Sequence, residues 1–310
     1  MTQPIRKVPL THGAQWLIRA FNLGTRNPRA IFGAGLLVMA VLYLVLYLFT
    51  MPLRLGEGEP DMERFVTVIG IAALAAVLVL PVLLGGLMHV IREAESGRPV
   101  RARDLFAPLR QHKAVQLALL GVIQIALALI CGTLLLWATG PDFWAHYQDM
   151  ARGAIGGQVN VPAAESPALV ILVQLVYYYF STAVVLVSIP LIMFSGLDIS
   201  AAVRRSLGAS VWNLGSYLFA AMLFMLGVMI SGALISLVSL AAMQLGSLIH
   251  PAVGQLLVVA VVVAYGSAFL VVMCGTCYYA WRDVFTDNDD APAGNAPNAP
   301  RTPRPGELEA

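Results

Sequence analysis

Charge is what this chain has least of. Lys, Arg, Asp and Glu make up 12% of its 310 residues, against about 25% in soluble domains. None of the four occurs in the 76 residues from 206 to 281, where only His250 can titrate. A soluble fold of this size needs charged side chains over its outside, whereas near a bilayer centre each one costs roughly 2.5 to 3.5 kcal/mol. The scarcity therefore leaves little room for an independent soluble domain and places the chain in lipid. Intramembrane ionisable residues, the usual proton relays and counter-ions of transporters, are missing as well, which disfavours transport coupled through a charged site.

What is there is apolar, at 59% of residues. Hydrocarbon about 30 Å thick takes about 20 apolar residues per helix, and runs of that kind occur at about 30–50, 65–91, 114–138, 168–197, 216–242 and 252–279. The expected fold is all-α: a polytopic membrane protein with six transmembrane helices and short cytoplasmic amphipathic helices. Residues 1–283 form the transmembrane domain. Residues 284–310, in which Pro, Ala, Gly and Asn alternate after Asp287, Asp289 and Asp290, form a cytoplasmic tail expected to be disordered. The first run is too long for a signal-peptide core and lacks a small-x-small site after it, so the N-terminus is expected to be retained.

Of the 19 Lys and Arg residues, 16 lie in segments 1–29, 92–113, 198–215 and 280–310, all on one side of six spans. The basic side faces the cytoplasm, which puts both termini inside. Trp16, Trp212 and Trp281 fall at inner span ends and Trp137 and Trp144 at an outer one, as indoles at the water–lipid boundary should. The fourth run is long and contains Tyr177, Tyr178 and Tyr179. Either these form an outer belt, with 167–176 along the surface or re-entrant, or the run is one long tilted helix.

A short basic amphipathic stretch precedes each pair of spans. In 13–27, Trp16, Leu17, Ala20, Phe21 and Gly24 share a face opposite Arg19, Asn22 and Arg26, so this helix should lie in the inner headgroup layer. In 104–113, Asp104 is the candidate N-cap, with Arg110 and Lys113 near the end. In 200–213, Ala202, Val203, Leu207 and Val211 oppose Arg204, Arg205 and Gly208. The segment from Pro81 through Gly85 and Gly86 echoes that from Pro190 through Gly196, which is either an internal repeat or the resemblance any two apolar helices share.

With Gly13, Ala14, Trp16 and Leu17 followed by Asn27 and Pro28, with Pro81 to Gly86, with Ser206 to Asn213 before a span, and with the closing Tyr278, Tyr279, Ala280, Trp281, Arg282 and Asp283, the chain resembles a family of bacterial six-span inner-membrane proteins. More distantly it is similar to the membrane domain that accompanies some bacterial glycerophosphodiester phosphodiesterases, although no phosphodiesterase catalytic domain is present. The resemblance covers nearly the whole chain and implies fold and an inner-membrane location, with no activity, cofactor or site residue to carry over.

Few residues invite chemistry. Cys274 and Cys277 have redox or metal spacing but lie near the C-terminal end of an apolar helix, where the dipole disfavours thiolate, so they read as small packing residues. Cys131 falls near the opposite membrane face. His89 and Glu93, four apart on a helix end, meet His112 at the same boundary, a conceivable ligand set that is more often an interfacial polar group. Asp142, His146 and Asp149 in the outer loop are weaker still. The basic loop 92–113 can hold anionic lipid or simply report the inward side. No catalytic residue, cofactor, metal or nucleic-acid partner is expected.

Two functional readings follow. One is a non-enzymatic membrane protein acting through membrane lipids or protein partners, as a scaffold, assembly or envelope-homeostasis component. The alternative is a transporter or lipid-handling protein for a neutral or amphipathic substrate, with Pro81, Gly85, Gly86, Pro190 and Gly196 as helix-break or pathway candidates.

Overall fold

The computed structural model describes residues 5–23, 27–55, 62–139 and 167–286, and among these no strand occurs. The helices are α1 (His12–Asn22), α2 (Pro28–Leu55), α3 (Met62–Glu95), a 3-10 turn (Ala102–Phe106) leading into α4 (Ala107–Arg110), α5 (Ala114–Thr139), α6 (Pro167–Thr182), α7 (Ser188–Ser195), α8 (Ile199–Trp212), α9 (Leu214–Ser247) and α10 (Pro251–Phe285). Six spans long and apolar enough to cross a membrane result, with α6 and α7 joined into one rod. The expected all-α polytopic fold is the observed one. The outer-loop residues Asp142, Trp144, His146 and Asp149, and the tail beyond 286, lie outside the described residues.

The core occupies one end of the bundle. α2 buries Ala30, Ile31, Ala34 and Val38 at its start, α3 buries Leu83, Leu84, Leu87, Met88, Val90 and Ile91 near its end, and α10 buries Val271, Cys274 and residues 278–281 near its end. These are the ends that carry α1, the 92–113 loop and α8. The other half of the bundle exposes apolar side chains, as lipid permits. α9 is the extreme case, since only Ser216, Ala220 and Gly246 are buried along its 34 residues. Its far end packs closely on α10, where a methyl added to Gly246 would lie 2.5 Å from the Gly254 Cα. α9 and α10 are each about 50 Å long at 1.5 Å per residue, more than hydrocarbon requires.

The fourth span is the long helix rather than a surface segment followed by a short span. It starts at Pro167 and passes through a π turn, Ala183–Val187, ahead of Pro190. Pro190 has no N–H to give the preceding turn, and a wider turn accommodates that loss. Tyr179 does not face outer water. Its hydroxyl donates to the Ser210 carbonyl at 2.7 Å, because α8 folds back along the α6–α7 rod, where Ser188 Oγ donates to Ser206 Oγ at 3.1 Å.

The first and third amphipathic stretches form helices: α1 turns most of its expected face inward, with Gly24 outside the described residues, and α8 turns a different one. α1 buries Gly13, Trp16, Leu17 and Ala20, whereas Phe21, expected on that face, is 68% exposed beside Ile18 at 60%. α8 buries Ala202, Ser206, Ala209 and Ser210 and turns Val211 outward. Asp104 is not an N-cap either. It lies three residues inside the 3-10 turn and accepts from the Arg101 N–H at 2.9 Å.

Candidate functional site

Among the described residues, the loop-side end of the bundle gathers polar side chains in two places. The first is a cavity of about 390 Å³ lined by His89, Glu93, Pro99, Val100, Asp104, Ala107, Arg110 and Gln111. Its walls come from the last turns of α3 and from the loop that folds back over them. Gly86 makes that return possible, because any side-chain carbon there would collide with the Leu105 carbonyl oxygen. With the 3-10 turn seated at Gly86, Asp104 arrives beside His89 and Glu93, one and two turns further along α3.

Each carboxylate in the cavity has its own arginine. Arg98 Nη2 donates to Glu93 at 2.7 Å, and Arg110 Nη2 donates to Asp104 at 2.7 Å. The Arg110 hydrogen bond, followed by the Arg101 backbone N–H, holds the Asp104 carboxyl below the ordinary carboxylate range. The cavity is therefore polar and close to neutral, with the half-buried His89 imidazole between two satisfied ion pairs. No serine, threonine or cysteine lines it. His89 and Glu93 come together as their spacing implies, but His112 does not join them. It takes φ +55 in the turn after α4, and no group of three potential metal ligands forms among the described residues. Asp104 and Arg110 were not legible as cavity partners, since only the loop's return over Gly86 brings them to α3.

The second place is the junction of the two ends of the described chain. Asp283, near the end of α10, accepts from Trp16 Nε1 at 2.9 Å and from Arg19 Nη1 at 3.3 Å, with His12 Nδ1 also 3.3 Å away. Upstream of α1, Val8 N–H donates to Asn213 Oδ1 at 2.8 Å, and Asn213 Nδ2 donates to the Arg6 carbonyl at 2.9 Å. Asn213 marks the bend between α8 and α9, so a polar side chain at that bend ties down the N-terminal segment. A methyl at Gly13 would lie 2.6 Å from the Ser216 carbonyl oxygen, which shows how closely α1 sits on α9. Both described chain ends thus meet at one end of the bundle.

Of the five pathway candidates, Pro81, Gly85, Gly86 and Pro190 are buried, and Gly196 is an exposed helix terminus. α3 runs uninterrupted through the buried Pro81. A methyl at Gly85 would meet Leu117 at 2.8 Å, and Gly86 receives the loop. Gly196, at φ +64, ends α7 by donating to the Leu191 carbonyl, and Leu197 N–H reaches the same oxygen at 3.3 Å. That is a left-handed helix terminus suited to glycine. Cys274 is buried, and Cys131, Cys274 and Cys277 are all unpaired thiols. The membrane-facing side offers one more concavity, an apolar groove between α1, α9 and α10 with Phe21, Phe224, Ser231 and Tyr265 on its walls. There the Ser231 and Tyr265 hydroxyls lie 2.9 Å apart.

No protein-family model, no curated protein and no solved structure matches the chain. What the geometry establishes is a multi-pass membrane protein whose packed, polar-capped end carries both described chain ends.

Proposed function

We propose that this is a non-enzymatic protein of the bacterial inner membrane that acts through membrane lipids or protein partners, as a scaffold or an assembly or envelope-homeostasis component. The observation that carries this reading is the division of the bundle. One end is a platform in which α1, the 92–113 loop and α8 are packed onto span ends, and the other is a set of apolar shafts of which α9 buries almost nothing. Such a molecule presents a rigid polar surface on one side and broad apolar helix faces within the bilayer, the two kinds of surface through which lipids and membrane partners associate. The excess of Lys and Arg in the platform segments supports a cytoplasmic platform, with both termini inside. The resemblance to bacterial six-span inner-membrane proteins points to the same location.

The test is native mass spectrometry of the full chain gently released from its own membrane, paired with liposome swelling in a panel of neutral solutes. The reading expects a stoichiometric lipid or protein adduct and no solute-dependent swelling. Swelling by a particular solute, abolished in both Pro81→Ala and Pro190→Ala while the protein stays folded, would replace it with the transport reading.

A further inference from the structure

Four span ends converge at the centre of the platform: Arg92 on α3, Lys113 just before α5, Phe194 on α7, and Tyr278 with Trp281 on α10. The Arg92 guanidinium lies 4.7 Å from the centre of the Phe194 ring. Phe194 in turn packs against Trp281 at 5.0 Å and edge-on to Tyr278 at 6.1 Å between ring centroids. An arginine over an aromatic face is held by the ring quadrupole, which leaves its N–H edge open to another acceptor.

Lys113 reaches the same spot from the other side and donates from Nζ to the Met193 carbonyl at 2.8 Å. Met193 is near the C-terminal end of α7, where a cation complements the helix dipole. One hydrogen bond occupies one of the three ammonium donors. Burial, and then the positive charge of Arg92, lowers the Lys113 ammonium below its ordinary range, and no carboxylate offsets them. Neither cation forms an ion pair among the described residues. Arg98 and Arg110, by contrast, are taken up by Glu93 and Asp104. The carboxylates nearby in sequence are engaged elsewhere: Glu95 has a partner of its own, and Asp198 caps its own helix α8 through Ala201.

Trp281 adds an independent observation. It is 8% exposed, and its indole N–H is buried without a hydrogen-bond partner. A buried donor left unpaired costs on the order of 1–3 kcal/mol, so the ring that packs on Phe194 carries a donor in want of an acceptor. Two cations without an ion pair and an unpaired N–H, all on residues that touch Phe194 or its neighbour Met193, form an environment short of one anion.

We propose that Arg92 and Lys113, over Phe194 and Trp281, form a binding site for a phosphate-bearing anion, supplied by an anionic phospholipid headgroup or by a free phosphate compound. Arg92 contributes a planar fork matched to phosphate oxygens, and Lys113 contributes a compact charge. The inference deepens the lipid arm of the proposed function and rests on it only for the source of the phosphate.

The experiment places the full chain in nanodiscs of phosphatidylcholine with a minority of phosphatidylglycerol. Native mass spectrometry reads the phosphatidylglycerol retained, and a separate titration with inorganic phosphate follows tryptophan fluorescence. The wild type is expected to retain phosphatidylglycerol above its share of the mixture. Arg92→Gln and Lys113→Gln should each lower that preference about fivefold, the equivalent of about 1 kcal/mol per cation, whereas Arg92→Lys should retain part of it. Thermal melting of each variant separates loss of binding from loss of fold, and Arg103→Gln, on an exposed loop position, serves as a folded control with unchanged preference. A response to inorganic phosphate without lipid preference upholds the anion site and assigns it to a soluble compound, which counts against the lipid arm. Folded Arg92→Gln with wild-type responses to both probes overturns the site and leaves the partner reading of the platform standing.

Discussion

Trp16 and Asp283, 267 residues apart in sequence, are joined by a 2.9 Å hydrogen bond from the indole Nε1 to the carboxylate Oδ2. The same oxygen lies 3.3 Å from Arg19 Nη1 and 3.3 Å from His12 Nδ1, so one carboxylate holds three side chains of α1 against the end of the last span. Docking α1 closes the platform, because α1 also packs on Gly275 of α10 and against the start of α9.

Asp283→Ala should therefore release α1. Removing the acceptor strands the buried Trp16 N–H, at a cost of about 1–3 kcal/mol. Limited proteolysis near residues 24–27 should accelerate and the melting temperature in detergent should fall, whereas Arg282→Gln, at the neighbouring position, should change both much less. Unchanged proteolysis in Asp283→Ala would show that packing alone seats α1.

Gly86→Ala should be among the most damaging single-methyl changes in the chain. The added carbon collides with the Leu105 carbonyl oxygen, and backbone cannot rotate away as a side chain can. Overpacking of this kind costs about 1–3 kcal/mol or more. Gly132→Ala is the matched control, with nothing within 4 Å of the new methyl, and there the better helix propensity should make the change neutral to stabilising. Thermal melting of the two variants side by side checks the pair.

The fold-back of the 92–113 loop should weaken in acid. Asp104 has its pKa lowered in the folded state, first by the Arg110 hydrogen bond and then by the Arg101 N–H. A depressed carboxyl contributes stability that is fully present above its unfolded value, near 3.9, and is lost as the pH falls through the lower folded value. Hydrogen exchange of residues 101–110 should thus be slow at neutral pH and rise below about pH 4. In Arg110→Gln the acid dependence should flatten and exchange should already be faster at neutral pH. Asp104 is partly exposed, so the effect stays local to the loop.

Tyr179→Phe should destabilise by about 1 kcal/mol through loss of the 2.7 Å bond to the Ser210 carbonyl, and Tyr178→Phe should be silent because that side chain is 63% exposed. Equal effects from the two would restore the reading of these tyrosines as a shared belt.

The all-α class, the number of spans and the shared side of the basic segments were legible in the sequence, because the price of charge in hydrocarbon writes them into composition. The six long apolar helices lie close to the apolar runs, with α9 and α10 extending furthest beyond them. The closing cluster of Tyr278, Tyr279, Trp281 and Asp283 stood out as a boundary feature, although nothing in its spacing showed that Asp283 would gather Trp16, Arg19 and His12. His89 and Glu93 were recognisable as a pair on one helix face. Their partners Asp104 and Arg110 were not, since the loop's path depends on a backbone contact at Gly86.

What the tertiary structure alone decided is which faces turn inward. In water the apolar face of an amphipathic helix must be the buried one, and by that rule Phe21 and Val211 belong inside. In lipid an exposed apolar side chain carries no such cost, so the buried face is chosen by close approach and hydrogen bonding. In α1 the expected face is buried at Trp16, Leu17 and Ala20 together with Gly13, in α8 Ala202, Ser206 and Ser210 are buried, and Phe21 and Val211 face out. Sequence by itself determined that this chain lives in a membrane and how often it crosses. Which helices touch, and therefore where the polar cavity, the Asp283 junction and the Arg92–Lys113 pair arise, followed only from the fit of small residues between uniformly apolar helices.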